Sequence, residues 1–136
     1  MKKILILSPH ADDEILGCGG FISKYSRKNY QISVLILTNA NKGAPEIFSA
    51  KEIKKIRNEA KQANNLIGTK KLYFENLPAL NLNNYPNYKI TNIINITANI
   101  GIATIDKAKM AITNTVNPVV PAISLRFFGN FNFIVK

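Results

Sequence analysis

Two continuous apolar runs, residues 3–8 (KILILS) and 31–38 (QISVLILT), constrain the fold of this chain most strongly. Runs of this kind are typical of strands that are buried on both faces of a parallel sheet. A weaker run follows at residues 71–75 (KLYFE). Segments with helical spacing separate the runs, and strands that alternate with helices form parallel sheets with right-handed crossovers. The sequence therefore predicts an α/β fold, with a doubly wound, mainly parallel, Rossmann-like sheet whose last third is truncated or altered.

The two segments between these runs predict helices with defined ends. Residues 13–28 carry apolar side chains at helical spacing and begin with acidic residues, which the helix macrodipole favours. The glycines within 17–20 weaken this helix and indicate close packing against the sheet. The second helix follows Ser49, whose spacing to Glu52 is that of a capping box, and it ends at Gly68, a typical C-terminal cap.

The remaining segments carry weaker signals. Residues 39–48 and 76–88 are rich in Asn, Gly, Pro or Tyr and predict loops. Residues 90–100 place isoleucines at spacings that suit a helix, and the tail from Met110 is apolar and β-prone. The chain is about one domain long, so we expect residues 1–136 to form a single domain.

The charge balance is strongly basic, with 18 Lys and Arg against 8 Asp and Glu and a net charge of +10. Such a balance favours anionic partners. The densest cationic run, residues 51–61, has the spacing of the solvent face of an amphipathic helix. Nucleic-acid binding would need aromatic residues interleaved with these cations, and 51–61 contains none. We therefore do not expect nucleic acid to be the partner.

The cysteine count and the hydropathy pattern indicate the cellular compartment of the protein. The single cysteine, Cys18, excludes an internal disulfide and suits a reducing cytoplasm. No apolar run approaches the roughly 18 residues that a membrane span needs. The apolar run in the opening MKKILILS is too short for a signal peptide. We expect a cytoplasmic protein without a membrane span, and the sequence leaves its oligomeric state open.

The residues that can carry chemistry lie together in the segment 8–14 (SPHADDE), where the first strand is followed by the first helix. Ligands of open α/β sheets bind at the carboxyl ends of the strands. An imidazole and a carboxylate from this turn could bind one zinc ion, and the other carboxylate could take a proton from water. The same residues also suit a purely structural role, because acidic side chains cap helix N-termini well. A nucleotide site has weak support, since the sequence contains neither GxGxxG nor a Walker A pattern.

The stretch 9–20 (PHADDEILGCGG) resembles the signature of the LmbE/PIG-L family of zinc-dependent sugar de-N-acetylases, a His-x-Asp-Asp-Glu core followed by a glycine-rich helix. Residues 38–43 (TNANKG), 56–68 (IRNEAKQANNLIG) and the leucine-rich 77–82 are similar to later segments of that family. The likeness covers about residues 1–95. It implies hydrolysis of the acetamide of an N-acetylated amino sugar, such as an N-acetylglucosamine conjugate, with release of acetate and a free amine.

The resemblance also implies roles for single residues. Carried over position by position, it makes His10 and Asp13 ligands of the zinc cofactor. Asp12 would be the general base, and Glu14 would support the site. The single observation behind all four assignments is the match to the His-x-Asp-Asp-Glu core.

This chain departs from the family pattern at two places. Family members usually carry a substrate-contacting arginine three residues before the helix glutamate, and here Ile56 fills that position. Arg57, two residues before Glu59, is the substrate-binding candidate, and the alternative is that it is a solvated surface arginine. The family also takes a third zinc ligand and an oxyanion-stabilising histidine from a His-x-x-His-type segment, whereas His10 is the only histidine of this chain. Asp106 is the acid that would have to substitute for the missing third zinc ligand. We therefore expect an incomplete zinc site and impaired deacetylation, and the alternative is a non-catalytic carbohydrate- or nucleotide-binding module of the same fold.

Overall fold

The computed structural model describes residues 2–80, 84–101, 110–113 and 124–127. Strands and helices alternate through most of this part of the chain. In chain order they are β1 (Lys2–Ser8), α1 (Asp13–Ser26), β2 (Tyr30–Asn39), α2 (Ala40–Gly43), α3 (Ala50–Ile67), β3 (Lys71–Pro78), α4 (Asn87–Gly101), β4 (Met110–Thr113) and β5 (Ser124–Phe127). No helix in the described residues is both long enough and apolar enough to cross a membrane.

The first three strands form a parallel sheet in the order β1-β2-β3. Lys2 lies opposite Tyr30 and Ser8 lies opposite Ile36, so β1 and β2 end at the same edge of the sheet. β3 pairs with β2 in the same direction, with a register shift between Ile36 and Thr38. These pairings confirm the predicted α/β fold with parallel strands. β4 and β5 form a separate antiparallel pair.

Alternate residues of the strands pack on opposite faces of the sheet, and each face is covered by helices. On one face, Cys18 and Ile22 of α1 and Ala60 of α3 join the even-numbered strand residues Ile4, Ile6, Ile32, Val34 and Ile36. On the other face, Ile94 of α4 joins Leu5, Leu7, Leu35, Leu37 and Leu77. Because both faces of the sheet are apolar, the strand sequences are continuous hydrophobic runs and do not alternate between apolar and polar residues.

Three expectations need correction. The predicted loop 39–48 contains the short helix α2, and the predicted loop 76–88 begins with the last residues of β3. Close packing does not explain Gly19 and Gly20 of α1. A Cβ at Gly19 would make only an ordinary contact with the side chain of Ile15, at 3.8 Å, and one at Gly20 would meet nothing within 4 Å.

Both predicted caps of α3 are confirmed. The side chain of Ser49 accepts from the N–H of Glu52 at 3.2 Å, and Oε2 of Glu52 accepts from the N–H of Ser49 at 2.7 Å. The hydroxyl of Ser49, followed by its backbone N–H, lowers the pKa of Glu52 below its ordinary value of 4.5. Gly68 caps the other end with φ of 91°, in the left-handed region. The helix that carries Arg57 is therefore defined at both ends by its own sequence.

Candidate active site at the carboxyl edge of the sheet

The turn between β1 and α1 is held at the carboxyl edge of the sheet by hydrogen bonds to its backbone. Thr38, at the end of β2, donates to the carbonyl of Pro9 through its hydroxyl at 2.6 Å and through its N–H at 3.0 Å. Ser8 donates from its hydroxyl to the carbonyl of His10 at 2.5 Å. Two neighbouring strands thus fix the turn that contains the His-x-Asp-Asp-Glu motif.

His10 and Asp13 are brought together by this turn. The Nδ1 atom of His10 lies 3.1 Å from Oδ2 of Asp13, and the same oxygen accepts from the N–H of His10 at 3.0 Å. The two side chains are 55% and 42% exposed, so His10 is not a histidine buried in the core. Their facing nitrogen and oxygen atoms could bind the same cation.

Asp12 occupies the N-cap position of α1 but does not use its side chain as a cap. Its φ is −167°, and its carboxylate makes no capping hydrogen bond. It lines the same cavity as His10. The purely structural interpretation of the acidic cluster does not account for Asp12, because a capping carboxylate would be bonded to the first-turn N–H groups of the helix.

Glu14 is buried and lies outside this cavity. Its side chain is 1% exposed, with Oε2 accepting from Ser8 at 3.1 Å and Oε1 accepting from Nδ2 of Asn64 at 2.8 Å. Asn64 is equally buried and belongs to α3. Glu14 therefore connects both the last residue of β1 and the helix α3 to the start of α1.

Arg57 reaches the cavity from α3. Its Nη2 atom donates to the carbonyl of Glu75 at 2.6 Å and to Oδ1 of Asn76 at 2.9 Å. Its guanidinium carbon lies 5.0 Å from the centre of the Phe74 ring, within the range of a cation–π contact. The arginine is half-buried, so it is not a solvated surface residue.

The cavity at this edge has a volume of about 220 Å³ and combines an apolar wall with a polar one. His10, Asp12, Thr38, Asn39 and Arg57 supply polar groups, and Ile36, Phe48, Ile53, Ile56 and Phe74 supply apolar ones. The sequence analysis did not identify any of these apolar side chains as part of a site.

The donor atoms fit a metal ion only in part. Imidazole nitrogen and carboxylate oxygen are both usual zinc ligands, but a catalytic zinc site has three protein ligands. Within the described ranges, no group of three His, Cys, Asp or Glu side chains could hold a metal ion. Asp106, the candidate substitute, lies outside the described residues. The His10–Asp13 pair could therefore supply two ligands, one fewer than a usual catalytic zinc site has.

Three solved structures are similar to this chain over about three quarters of its length. An N,N'-diacetylchitobiose deacetylase from Pyrococcus horikoshii, solved with an inhibitor, has 28% identity and a TM-score of 0.61 over 73% of this chain and 38% of its own. The 4-carboxy-2-hydroxymuconate hydratase GalB from Pseudomonas putida has 20% identity and a TM-score of 0.61 over 74% of this chain and 44% of its own. A conserved protein from Thermus thermophilus has 22% identity and a TM-score of 0.58 over 74% of this chain and 43% of its own.

Each of these proteins is more than twice as long as the part that this chain matches. At these identities, the hydratase and the Thermus protein show the shared fold alone. No curated protein matches the chain by sequence. The family model PIG-L, described as GlcNAc-PI de-N-acetylase, matches residues 5–119, which includes the whole of the edge cavity and extends beyond residue 95. The chain therefore belongs to the PIG-L family, the GlcNAc-PI de-N-acetylases.

Proposed function

We propose that this chain carries the site of a zinc-dependent hydrolase that removes the acetyl group from an N-acetylated amino sugar. His10 and Asp13 would hold the metal, and Asp12 would be the general base. The observation that carries the proposal is that His10 and Asp12 line one edge cavity, while Oδ2 of Asp13 lies 3.1 Å from Nδ1 of His10. Family membership and the similarity to a diacetylchitobiose deacetylase support the reaction type.

The chemistry divides between the metal and this chain's own residues. When bound, zinc makes water acidic enough to act at neutral pH and polarises a carbonyl group. The Asp12 carboxylate takes a proton from the attacking water and returns it to the departing amine. Water adds to the amide carbon, the C–N bond breaks, and acetate and a free amine leave. Asp12 suits this role because its side chain is not used for capping.

The walls of the cavity suit an acetamido sugar. The apolar side chains of Ile36, Ile53 and Phe74 offer a surface for the acetyl methyl group. Arg57 has five N–H groups, of which the two on Nη2 are bonded to Glu75 and Asn76. The other three can donate to sugar hydroxyls, so Arg57 is the proposed substrate-binding residue.

Glu14 would support the site indirectly, by fixing the start of α1 against Ser8 and Asn64. We further propose that the sheet belongs to a doubly wound arrangement, because helices already cover both of its faces. The cytoplasmic location stays a prediction from the single cysteine.

We expect turnover to be slow. Two protein ligands do not fix the position of a metal relative to Asp12, and a misplacement of about 1 Å can reduce a rate on the order of 100-fold. The resemblance also implies that the family's oxyanion-stabilising histidine has no counterpart here, and loss of one such donor typically reduces a rate on the order of 100- to 1000-fold. Because both effects act on one transition state, they need not multiply.

Acetate release from N-acetylglucosamine derivatives, with and without added zinc, tests the proposal. We expect slow, zinc-dependent release that is lost in Asp12→Asn and kept in Glu59→Gln, which changes an exposed carboxylate of α3. Release that survives Asp12→Asn would contradict the proposed base. Brisk turnover that Asp12→Asn abolishes would show that the site is complete and contains another ligand.

A second candidate function is a carbohydrate- or nucleotide-binding module without catalysis. The single histidine of the chain favours it, because the metal site then lacks a usual donor. Saturable binding of the sugar without any zinc-dependent acetate release would support this alternative.

A further inference from the structure

The apolar wall of the edge cavity is larger than the methyl group of an acetamide needs. Five apolar side chains form it: Ile36, Phe48, Ile53, Ile56 and Phe74. The whole cavity has a volume of about 220 Å³. For comparison, an apolar cavity of about 150 Å³ is large enough to hold benzene. The edge cavity therefore has room for several carbon atoms beyond that methyl group.

Strand pairing and helix spacing bring these side chains together. Ile36 of β2 lies opposite Phe74 of β3 in the parallel pairing, so the two are neighbours on one face of the sheet. Ile53 and Ile56 are three residues apart in α3, the spacing that places side chains next to each other on a helix. Phe48 completes the wall from the segment before α3. The wall is therefore formed before any ligand binds, as in most small-molecule sites.

The cavity has a buried floor and an exposed mouth. Ile36 is 0% exposed and Ile53 is 9% exposed, whereas the side chain of His10 is 55% exposed. Ile56 is half-buried, so part of its apolar surface is in contact with water. A ligand chain that covers such surface is favoured in proportion to the apolar area removed from water. An amide held beside His10 at the mouth can therefore direct its acyl chain toward the floor, while the sugar stays within reach of Arg57.

We infer that this apolar wall is the subsite for the acyl chain of the amide, and that the site prefers N-acyl groups longer than acetyl. This inference rests on the proposed function, because it places the amide carbonyl beside Asp12 and the proposed metal ligands. In the reaction, water adds to the amide carbon, the C–N bond breaks, and a short-chain carboxylate and a free amine leave. The substrate class becomes amino sugars that carry a short unbranched acyl group, such as butanoyl or hexanoyl, on the nitrogen.

Calorimetric titration with the methyl glycosides of N-acetyl-, N-butanoyl- and N-hexanoylglucosamine, without added zinc, tests this subsite. Each buried methylene group should raise the affinity about fourfold. We therefore expect the butanoyl sugar to bind on the order of tenfold more tightly than the acetyl sugar. Ile56→Asn places a polar group in the wall and should remove most of this advantage, with the affinity for the acetyl sugar nearly unchanged. The comparison of the three sugars on the unchanged protein decides the inference even if this variant does not fold.

The matched control is Leu66→Asn, which makes a comparable change at an exposed apolar residue of α3 outside the cavity. We expect this variant to keep the full preference for the longer acyl chain. An equal loss of preference in Ile56→Asn and Leu66→Asn would show that the effect does not come from the wall, and it would overturn the inference.

A fourth sugar, butyl N-acetylglucosaminide, distinguishes the acyl chain from an apolar aglycone. If this sugar binds more tightly than the methyl glycoside and Ile56→Asn removes the gain, the wall binds the aglycone and the inference is overturned. Equal affinities for the acetyl, butanoyl and hexanoyl sugars would also overturn it, while zinc-dependent acetate release would still support the proposed function. If no sugar binds, the inference fails, and the acetate assay alone decides the proposed function.

Discussion

Asn64 of α3 donates a 2.8 Å hydrogen bond from Nδ2 to Oε1 of Glu14 in α1, and both side chains are 1% exposed. The other oxygen of Glu14 is 3.1 Å from the hydroxyl of Ser8, which also contacts the carbonyl of His10. A continuous chain of hydrogen bonds thus connects α3 to the turn that carries the proposed metal ligands. The burial and the hydrogen bonds of Glu14 agree with the supporting role proposed for it, which the sequence implied only by resemblance.

Asn64→Ala should destabilise the fold, because it leaves Oε1 of Glu14 buried without its donor. An unsatisfied buried group costs about 1–3 kcal/mol, and more when it is charged. Urea denaturation of both proteins measures the difference in the free energy of unfolding. Asn65→Ala is the control at an exposed position of the same helix, where we expect almost no change. Equal effects of the two substitutions would refute a special role for the Asn64–Glu14 bond.

His10→Ala should weaken zinc binding at least about tenfold, because it removes one of the two proposed ligands. Asp13→Asn should also weaken it, whereas Asp12→Asn should leave it nearly unchanged. Calorimetric titration with zinc measures all four proteins. Binding by the unchanged chain should itself be weak, since two ligands leave the site incomplete. Tight one-to-one binding that persists in His10→Ala would show that the metal is held elsewhere.

Gly68→Ala should lower the free energy of unfolding by about 2 kcal/mol or more. The residue has φ of 91°, which an L side chain adopts at a cost of about 1–2 kcal/mol. An added Cβ would also lie 2.5 Å from Oγ of Ser26, so α1 or the cap must shift. Thermal unfolding can compare it with Gly20→Ala, in which the new methyl group meets nothing within 4 Å. This second change should stabilise α1 by about 0.5–1 kcal/mol, and a stabilising Gly68→Ala would contradict the observed cap.

The capping box of α3 should make stability depend on pH through Glu52. The hydrogen bonds from Ser49 lower the pKa of Glu52, so this carboxylate stabilises the folded state above its ordinary pKa of 4.5. That contribution is lost as the pH falls below 4.5 and through the lowered pKa of the folded state. Glu52→Gln should therefore be less stable than the unchanged protein at neutral pH, and the difference should shrink in acid. Unfolding curves recorded across this range would contradict the prediction if the difference stayed constant.

The order of strands and helices could be predicted because each element is specified by residues close together in the sequence. The runs at 3–8 and 31–38 are apolar on both faces, and the caps Ser49 and Gly68 act within a few residues of α3. Element boundaries were less predictable. β3 continues to Pro78 because pairing with Asn39 of β2 provides hydrogen-bond partners that a local pattern does not contain.

The sequence by itself determined where the candidate chemistry lies, since His10, Asp12 and Asp13 occupy one turn and the strand-to-helix junction places that turn at the edge of the sheet. Only the tertiary structure decided how each acid is used. Whether a carboxylate caps a helix, lines a cavity or is buried depends on what packs against it, and Glu14 is buried because Asn64 reaches it from 50 residues away. The same holds for Arg57, which the sequence presents as one of many exposed cations. Its guanidinium is directed into the site by bonds to β3, and such contacts between distant segments leave no periodic pattern in the chain.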